Sequence, residues 1–178
     1  NQCASCRVCM VEVEGRRNLA PACSTPATQG MVVKTATPRA INARKVVVEL
    51  LLSDHPSDCL KCPKNTRCEL QTIAAELGIR EVEYRGAMKE LPIDNSSRSF
   101  IRDPNKCIMC RRCETMCNTI QTVGIYSAIN RGFSAVVSPP FNQPMTETPC
   151  TFCGQCVSVC PQAALTAVNA NRRILEAL

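Results

Sequence analysis

The strongest chemistry in this chain lies in two four-cysteine runs, Cys107-Ile-Met-Cys110-Arg-Arg-Cys113-Glu-Thr-Met-Cys117 and Cys150-Thr-Phe-Cys153-Gly-Gln-Cys156-Val-Ser-Val-Cys160. In each run three cysteines recur at every third residue, and a fourth follows after three more residues. Pro161 stands directly behind the second run, and Asn118 takes that place behind the first. A tight loop with this spacing can set thiolates on three corners of an iron–sulfur cube. It cannot wrap to the fourth corner, so each loop needs the last cysteine of its twin. This assigns Cys107, Cys110, Cys113 and Cys160 to one 4Fe–4S cluster, and Cys150, Cys153, Cys156 and Cys117 to another. Structural zinc uses separated cysteine pairs and fits two tandem runs poorly. Disulfides among ligands this close have few sensible pairings.

A third set is His55, Cys59, Cys62 and Cys68, which includes the only histidine of the chain. On spacing alone it suits either a histidine-ligated 4Fe–4S cluster or a Cys3His zinc site. Two cubane motifs on the same chain favour the cluster, because a zinc ion would interrupt an electron path. A neutral imidazole in place of a thiolate makes such a cluster less negative and raises its reduction potential. Near the start, Cys6, Cys9 and Cys23 supply three of the four thiolates that a 2Fe–2S cluster takes. Cys3 is close by, but its spacing does not suit the plant-type pattern C-x4-C-x2-C.

The chain has 15 cysteines among its 178 residues. It opens without a signal peptide, and no apolar run is long enough to span a bilayer. The expectation is therefore a reducing, cytoplasmic setting with thiols kept for metal. The formal net charge is +6. Two oxidised all-cysteine cubanes carry about −2 each and one with a histidine about −1, so the clusters offset about −5. Aromatic residues are 3% and Trp is absent, so no base-stacking platform exists and nucleic-acid binding is excluded.

The elements that must position these ligands follow from local pattern. Met10-Val-Glu-Val-Glu14 alternates as a half-buried strand, Gly15 to Asn18 is a turn, and Met31 to Thr35 is a second strand. Thr37-Pro38 caps and opens a helix that ends near Ser53-Asp54 and delivers His55 to its cysteines. Crowded apolar residues predict that this helix is buried on much of its surface. Leu70, Ile73, Ala74 and Leu77 predict a second helix, stopped by Gly78. Glu81 to Tyr84 reads as a short strand, and 85–100 as a linker. Residues 101–168 form the two-cluster unit, with an inserted hairpin from Gly124–Asn130 and Ala135–Ser138. The tail from Asn169 is expected to be helical.

The order of motifs resembles the N-terminal electron-transfer region of the catalytic subunit of multimeric, NAD(P)-linked, electron-bifurcating iron-only (FeFe) hydrogenases. The phrases that carry the resemblance include Ser5-Cys-Arg-Val-Cys-Met-Val-Glu-Val-Glu-Gly15, His55-Pro56 with its three cysteines, and Arg102-Asp-Pro-Asn-Lys-Cys-Ile-Met-Cys-Arg-Arg-Cys113. Asn130-Arg-Gly-Phe133 and Glu147-Thr-Pro-Cys-Thr-Phe-Cys-Gly-Gln-Cys156 complete them. The resemblance implies an α+β chain: a partial β-grasp 2Fe–2S domain over 1–36, a small helical His-ligated 4Fe–4S domain over 37–84, and a two-cluster ferredoxin-like domain over 101–168. Residues 169–178 would lead into a hydrogen-activating domain. The first 2Fe–2S ligand of the family would lie upstream of Asn1, and Cys3 matches no family ligand. Three 4Fe–4S clusters are implied, and a 2Fe–2S cluster where the upstream ligand is present. The implied partners are a flavin- and NAD(P)-binding subunit, a small 2Fe–2S subunit and soluble ferredoxin, in an anaerobe. This stretch would carry electrons and hold no catalytic residue itself. NAD-linked formate dehydrogenases resemble the same domain order, and the large peripheral subunit of respiratory complex I resembles the first two units. A zinc-stabilised interaction module is the alternative of a different class.

Overall fold

The computed structural model describes residues 3–178, the side chains of Arg172 and Arg173 excepted; Asn1 and Gln2, the first residues of the expected 1–36 unit, lie outside the described residues. Strand β1 (Met10–Val13) buries Val11 and Val13 and leaves Met10 and Glu12 half-buried, as its alternation requires. It lies between β2 (Ala20–Pro21) and β3 (Val33–Lys34), antiparallel to both. The turn after β1 closes with the Arg16 N–H donating to the Val13 carbonyl at 3.0 Å.

Helix α1 (Pro38–Ser53) starts where Thr37 predicts: its hydroxyl accepts from the Ala40 N–H at 3.2 Å. The expectation of broad burial is not met. Only Ala40, Val48 and Glu49 are fully buried, and Ile41 and Leu50 are exposed. The apolar residues run consecutively, so they spread around the helix, whereas only one face meets β1 and helix α2 (Glu69–Glu76). Val48, Cys68 and Leu70 form the core between the two helices, with Leu52, Ile73 and Leu77 around it. Gly78 ends α2 at a left-handed φ of 69°.

Glu81–Tyr84 is irregular rather than a strand. Glu81, Glu83 and Tyr84 are exposed, and no neighbouring strand accepts their backbone groups, so alternation alone does not hold them extended. The chain then crosses to the last unit. Asp94 forms a bridge with Arg102, and Asn105 fixes Leu91 through bonds of 2.7 and 2.8 Å to its N–H and carbonyl.

Strands β4 (Phe100–Arg102) and β7 (Leu165–Ala167) pair antiparallel and bracket both cysteine runs. Between them lie helix α3 (Arg112–Thr115), which continues as a wider turn through Ile120, and helix α4 (Gln155–Ser158). The inserted hairpin is present as β5 (Ser127–Ile129) paired with β6 (Val136–Ser138). The tail forms helix α5 (Asn171–Ala177). Phe100, Ile125, Tyr126, Val137, Met145, Cys156 and Leu165 make the core of this unit, with the cysteines packed around it. The whole is a small α+β fold. Among the described residues, no helix is long and apolar enough to cross a membrane.

Candidate metal centres

The two cysteine loops fold alike. Met109 and Arg111 in the first, and Phe152 and Gly154 in the second, hold left-handed φ values of 55°, 60°, 53° and 76°. Those kinks turn successive thiols inward. They also aim an amide at the first sulfur: the Met109 N–H donates to Cys107 Sγ, and the Phe152 N–H to Cys150 Sγ, both at 3.4 Å.

Tertiary structure gathers the predicted sets. One cavity is lined by Cys107, Cys110, Cys113 and Cys160, a second by Cys117, Cys150, Cys153 and Cys156, and a third by His55, Cys59, Cys62 and Cys68. Each run thus meets the last cysteine of its twin. Among the described residues, no group of three or more His, Cys, Asp or Glu side chains is gathered tightly enough for a single ion. The donors at each cavity, four thiols or three thiols with an imidazole, are of the kind that hold iron–sulfur clusters.

Burial pushes the Cys107 and Cys113 thiols up, and that of Cys110 up to about 11. Burial likewise raises Cys150, and Cys156 to about 11, although a hydrogen bond from Tyr126 acts the other way on Cys156. Without metal these thiols stay protonated, and a bound metal would have to displace their protons. Burial, helped by Lys106, pushes His55 down against the pull of Asp58, Asp103 and Asp54. Its imidazole is therefore neutral, with a lone pair free for metal.

Cys6, Cys9 and Cys23 line a fourth, wider cavity, and the Cys23 N–H donates to Cys9 Sγ at 3.5 Å. Cys3 does not line it and sits 3.8 Å from the Thr115 hydroxyl instead, as a packing residue. Cys110 and Ile108 border both this cavity and that of the first run.

Three residues around the sites are not singled out by the sequence. Gln162 is 2% exposed and borders the 2Fe–2S-type, first-run and His55 cavities; its carbonyl accepts from Cys68 Sγ at 2.9 Å. Its place directly behind Cys160-Pro161 is the only hint. Tyr126 borders both the first-run and second-run cavities, with its hydroxyl 3.6 Å from Met145 Sδ and 3.9 Å from Cys156 Sγ. Arg102 lines the first-run cavity; burial lowers its pKa, while charge on Tyr126, Asp94, Cys107 and Cys113 raises it.

Residues 1–38 match the family described as 2Fe-2S iron-sulfur cluster binding domain. Residues 44–83 match the NADH-ubiquinone oxidoreductase-G iron-sulfur binding region, and 147–166 the 4Fe-4S binding domain. The chain is 59% identical over 178 residues to NADP-reducing hydrogenase subunit HndD of Solidesulfovibrio fructosivorans, all of this chain and 30% of that protein. It is 38% identical over 164 residues to the G 2 subunit of NADH-quinone oxidoreductase from Rhizobium meliloti, 91% of this chain and 19% of the relative. That alignment extends beyond the first two units, to which the expected resemblance to complex I is confined. NADPH-Fe(3+) oxidoreductase subunit alpha of Geobacter sulfurreducens is 33% identical over 90% of this chain and 19% of its own length. The chain thus spans less than a third of each of these relatives. A chain in the crystal structure of NAD+-reducing [NiFe]-hydrogenase in the H2-reduced state superposes with a TM-score of 0.84 at 25% identity, over 94% of this chain and 70% of that one.

Proposed function

We propose that this chain, an iron–sulfur region of the kind found in NAD(P)-linked hydrogenase and NADH-quinone oxidoreductase G-like subunits, is the electron wire of such an oxidoreductase complex. The observation that carries the reading is that each of three cavities is lined by four side chains able to ligate a cluster, four thiols or three thiols with an imidazole. His55, Cys59, Cys62 and Cys68 would hold one 4Fe–4S cluster. Cys107, Cys110, Cys113 and Cys160 would hold the second, and Cys150, Cys153, Cys156 and Cys117 the third. Cys6, Cys9 and Cys23 would supply three ligands of a 2Fe–2S cluster. When bound, these groups accept and release single electrons without a coupled proton.

The protein's own part is to hold them close and keep water out. Tyr126, in the core with Phe100, borders both cubane sites. Gln162 borders the first-run site, the His55 site and the 2Fe–2S site. Arg112 clasps Glu69 with two bonds of 3.0 Å, and Lys106 lies 3.5 Å from Asp58, so the His55 unit is pinned to the first loop. Electrons entering by the His55 or 2Fe–2S branch would meet at the first-run site and pass Tyr126 to the second.

The likeness to a NADP-reducing hydrogenase subunit favours hydrogen as the distant substrate. On the motif resemblance, the partners would be a flavin- and NAD(P)-binding subunit, a small 2Fe–2S subunit and soluble ferredoxin in the cytoplasm, with electron bifurcation between acceptors. Iron and acid-labile sulfide analysis tests the wire: about twelve irons per chain are expected from three cubanes. Low-temperature EPR after dithionite should give reduced-cluster signals. Zinc without sulfide, in a protein that gives no such signal, would sink the reading.

A further inference from the structure

Arg102 is 4% exposed, and its guanidinium is under-used. One terminal nitrogen, Nη2, donates to Asn142 Oδ1 at 2.6 Å. Nε and Nη1 are buried with no hydrogen-bond partner. They carry three of the five N–H donors of the group. No carboxylate pairs with it among the described residues. Asp94, the nearest candidate by sequence pairing, spends its oxygens on the N–H groups of Ser96 at 3.0 Å and Met145 at 2.8 Å. Asn142 Oδ1 is shared with the Ser138 hydroxyl at 2.8 Å, so it cannot satisfy the rest.

A buried cation with unmet N–H donors and no carboxylate bonded to it is strongly disfavoured. Arg102 borders the first-run cavity, whose lining offers the four sulfurs of Cys107, Cys110, Cys113 and Cys160. Neither side-chain oxygen on that wall, Tyr126 Oη or Gln162 Oε1, accepts from Arg102 Nε or Nη1. Tyr126 turns its hydroxyl toward Met145 and Cys156. Among the described residues, no charged side chain other than its cysteines lines the second-run cavity.

We propose that the Arg102 guanidinium is the built-in counter-charge and hydrogen-bond donor for the iron–sulfur group held by Cys107, Cys110, Cys113 and Cys160, and that it raises this group's reduction potential above that of the twin site. This rests on the ligation proposed above. One-electron reduction adds a negative charge with no proton, and a fixed positive charge nearby favours the reduced form. N–H donors to sulfur act in the same direction. Arg102 is thus a positioning and tuning residue: it makes the first-run site the place where electrons from the two entry branches collect, and the second-run site the lower-potential exit.

The test uses the full protein with its clusters loaded, titrated potentiometrically and read by EPR. Arg102→Met is expected to keep iron and sulfide but shift the oxidised-to-reduced ratio of the first-run site at least tenfold toward oxidised at a fixed poise, about 59 mV for a one-electron couple. The second-run site should move by less than half as much. Arg102→Lys should restore most of the shift. Full clusters with an unmoved first-run potential, or a loss in Arg102→Lys equal to that in Arg102→Met, would overturn the assignment. Wild-type protein carrying 15N-arginine gives a reading that no variant's folding can spoil. Pulsed EPR of the reduced first-run site should detect a 15N coupling that persists in Arg111→Lys and Arg112→Lys, and its absence would overturn the proposal. Wild-type protein lacking iron and sulfide at these cysteines would instead overturn the ligation itself, a distinct failure.

Discussion

The two cysteine loops share a backbone and differ in what surrounds them. Both place left-handed residues at matching positions and both direct an amide at the first sulfur. The first loop faces a cavity with Arg102 on its wall and Gln162 at its border. The second faces Phe100, Val123 and Tyr126, and its Cys153 is exposed. The lesson is a division of labour. The loop's own spacing decides which sulfurs can converge, and the elements packed against the loop decide how much a charge there costs.

The largest effect tests the crossing of ligands between the loops. Cys117→Ala should damage the centre of Cys150, Cys153 and Cys156, and Cys160→Ala that of Cys107, Cys110 and Cys113. Each should cost about four irons by analysis and one set of EPR signals. Loss of the signal belonging to the mutated run itself would break the comparison.

A smaller effect probes the shared backbone. Gly154 sits at a φ of 76° with open space where a Cβ would go, so Gly154→Ala adds strain without a clash. It should cost about 1–2 kcal/mol in denaturant unfolding. Arg111 already bears that conformation at 60°, offset by its bonds to Glu114 at 2.5 and 2.6 Å. A neutral Gly154→Ala would mean that the second loop tolerates what the first has to compensate.

Tyr126→Phe removes the hydroxyl between the two sites. About 1 kcal/mol of stability should go, a fall in Tm of about 2–4 °C by calorimetry. Because the hydroxyl faces Cys156, the second-run potential should fall more than the first. The reverse order would show that the two environments are not separable.

The smallest effect concerns Asp94, which anchors the approach to the first loop. Burial would raise its pKa, but hydrogen bonds from the Ser96 side chain and from the Ser96 and Met145 N–H groups, with the charge of Arg102, hold it below the usual 3.8. A carboxylate depressed by folding stabilises the native state above its unfolded pKa, and that stability is lost as pH falls through the folded value. Thermal melts from pH 5 down to the acid limit should show a decline that is shallower in Asp94→Asn. Identical slopes would remove Asp94 from the account.

Much of the site was legible because it is local. Ligands three residues apart are constrained by chain geometry, so the cysteine runs announce both their chemistry and their need for a distant fourth thiolate. The Thr37 cap, the α2 periodicity and the alternation of β1 are equally short-range. The strand expected at Glu81–Tyr84 fails for the converse reason: a strand exists only with a partner, and alternation does not supply one. Cys3 was legible only as an outsider to the ligand pattern, and its place against Thr115 is a contact between distant segments.

What the sequence by itself determined, then, is which atoms can bind metal and in what local order, since covalent spacing fixes how far a short loop can reach. Tertiary structure brings together the cysteines that the spacing pairs, because the pairing of β4 with β7 closes the unit and sets Cys160 on the cavity of Cys107, Cys110 and Cys113. It alone turned Arg102 inward and set Gln162 at the border of three cavities, since side-chain orientation and burial depend on what the rest of the fold packs against them.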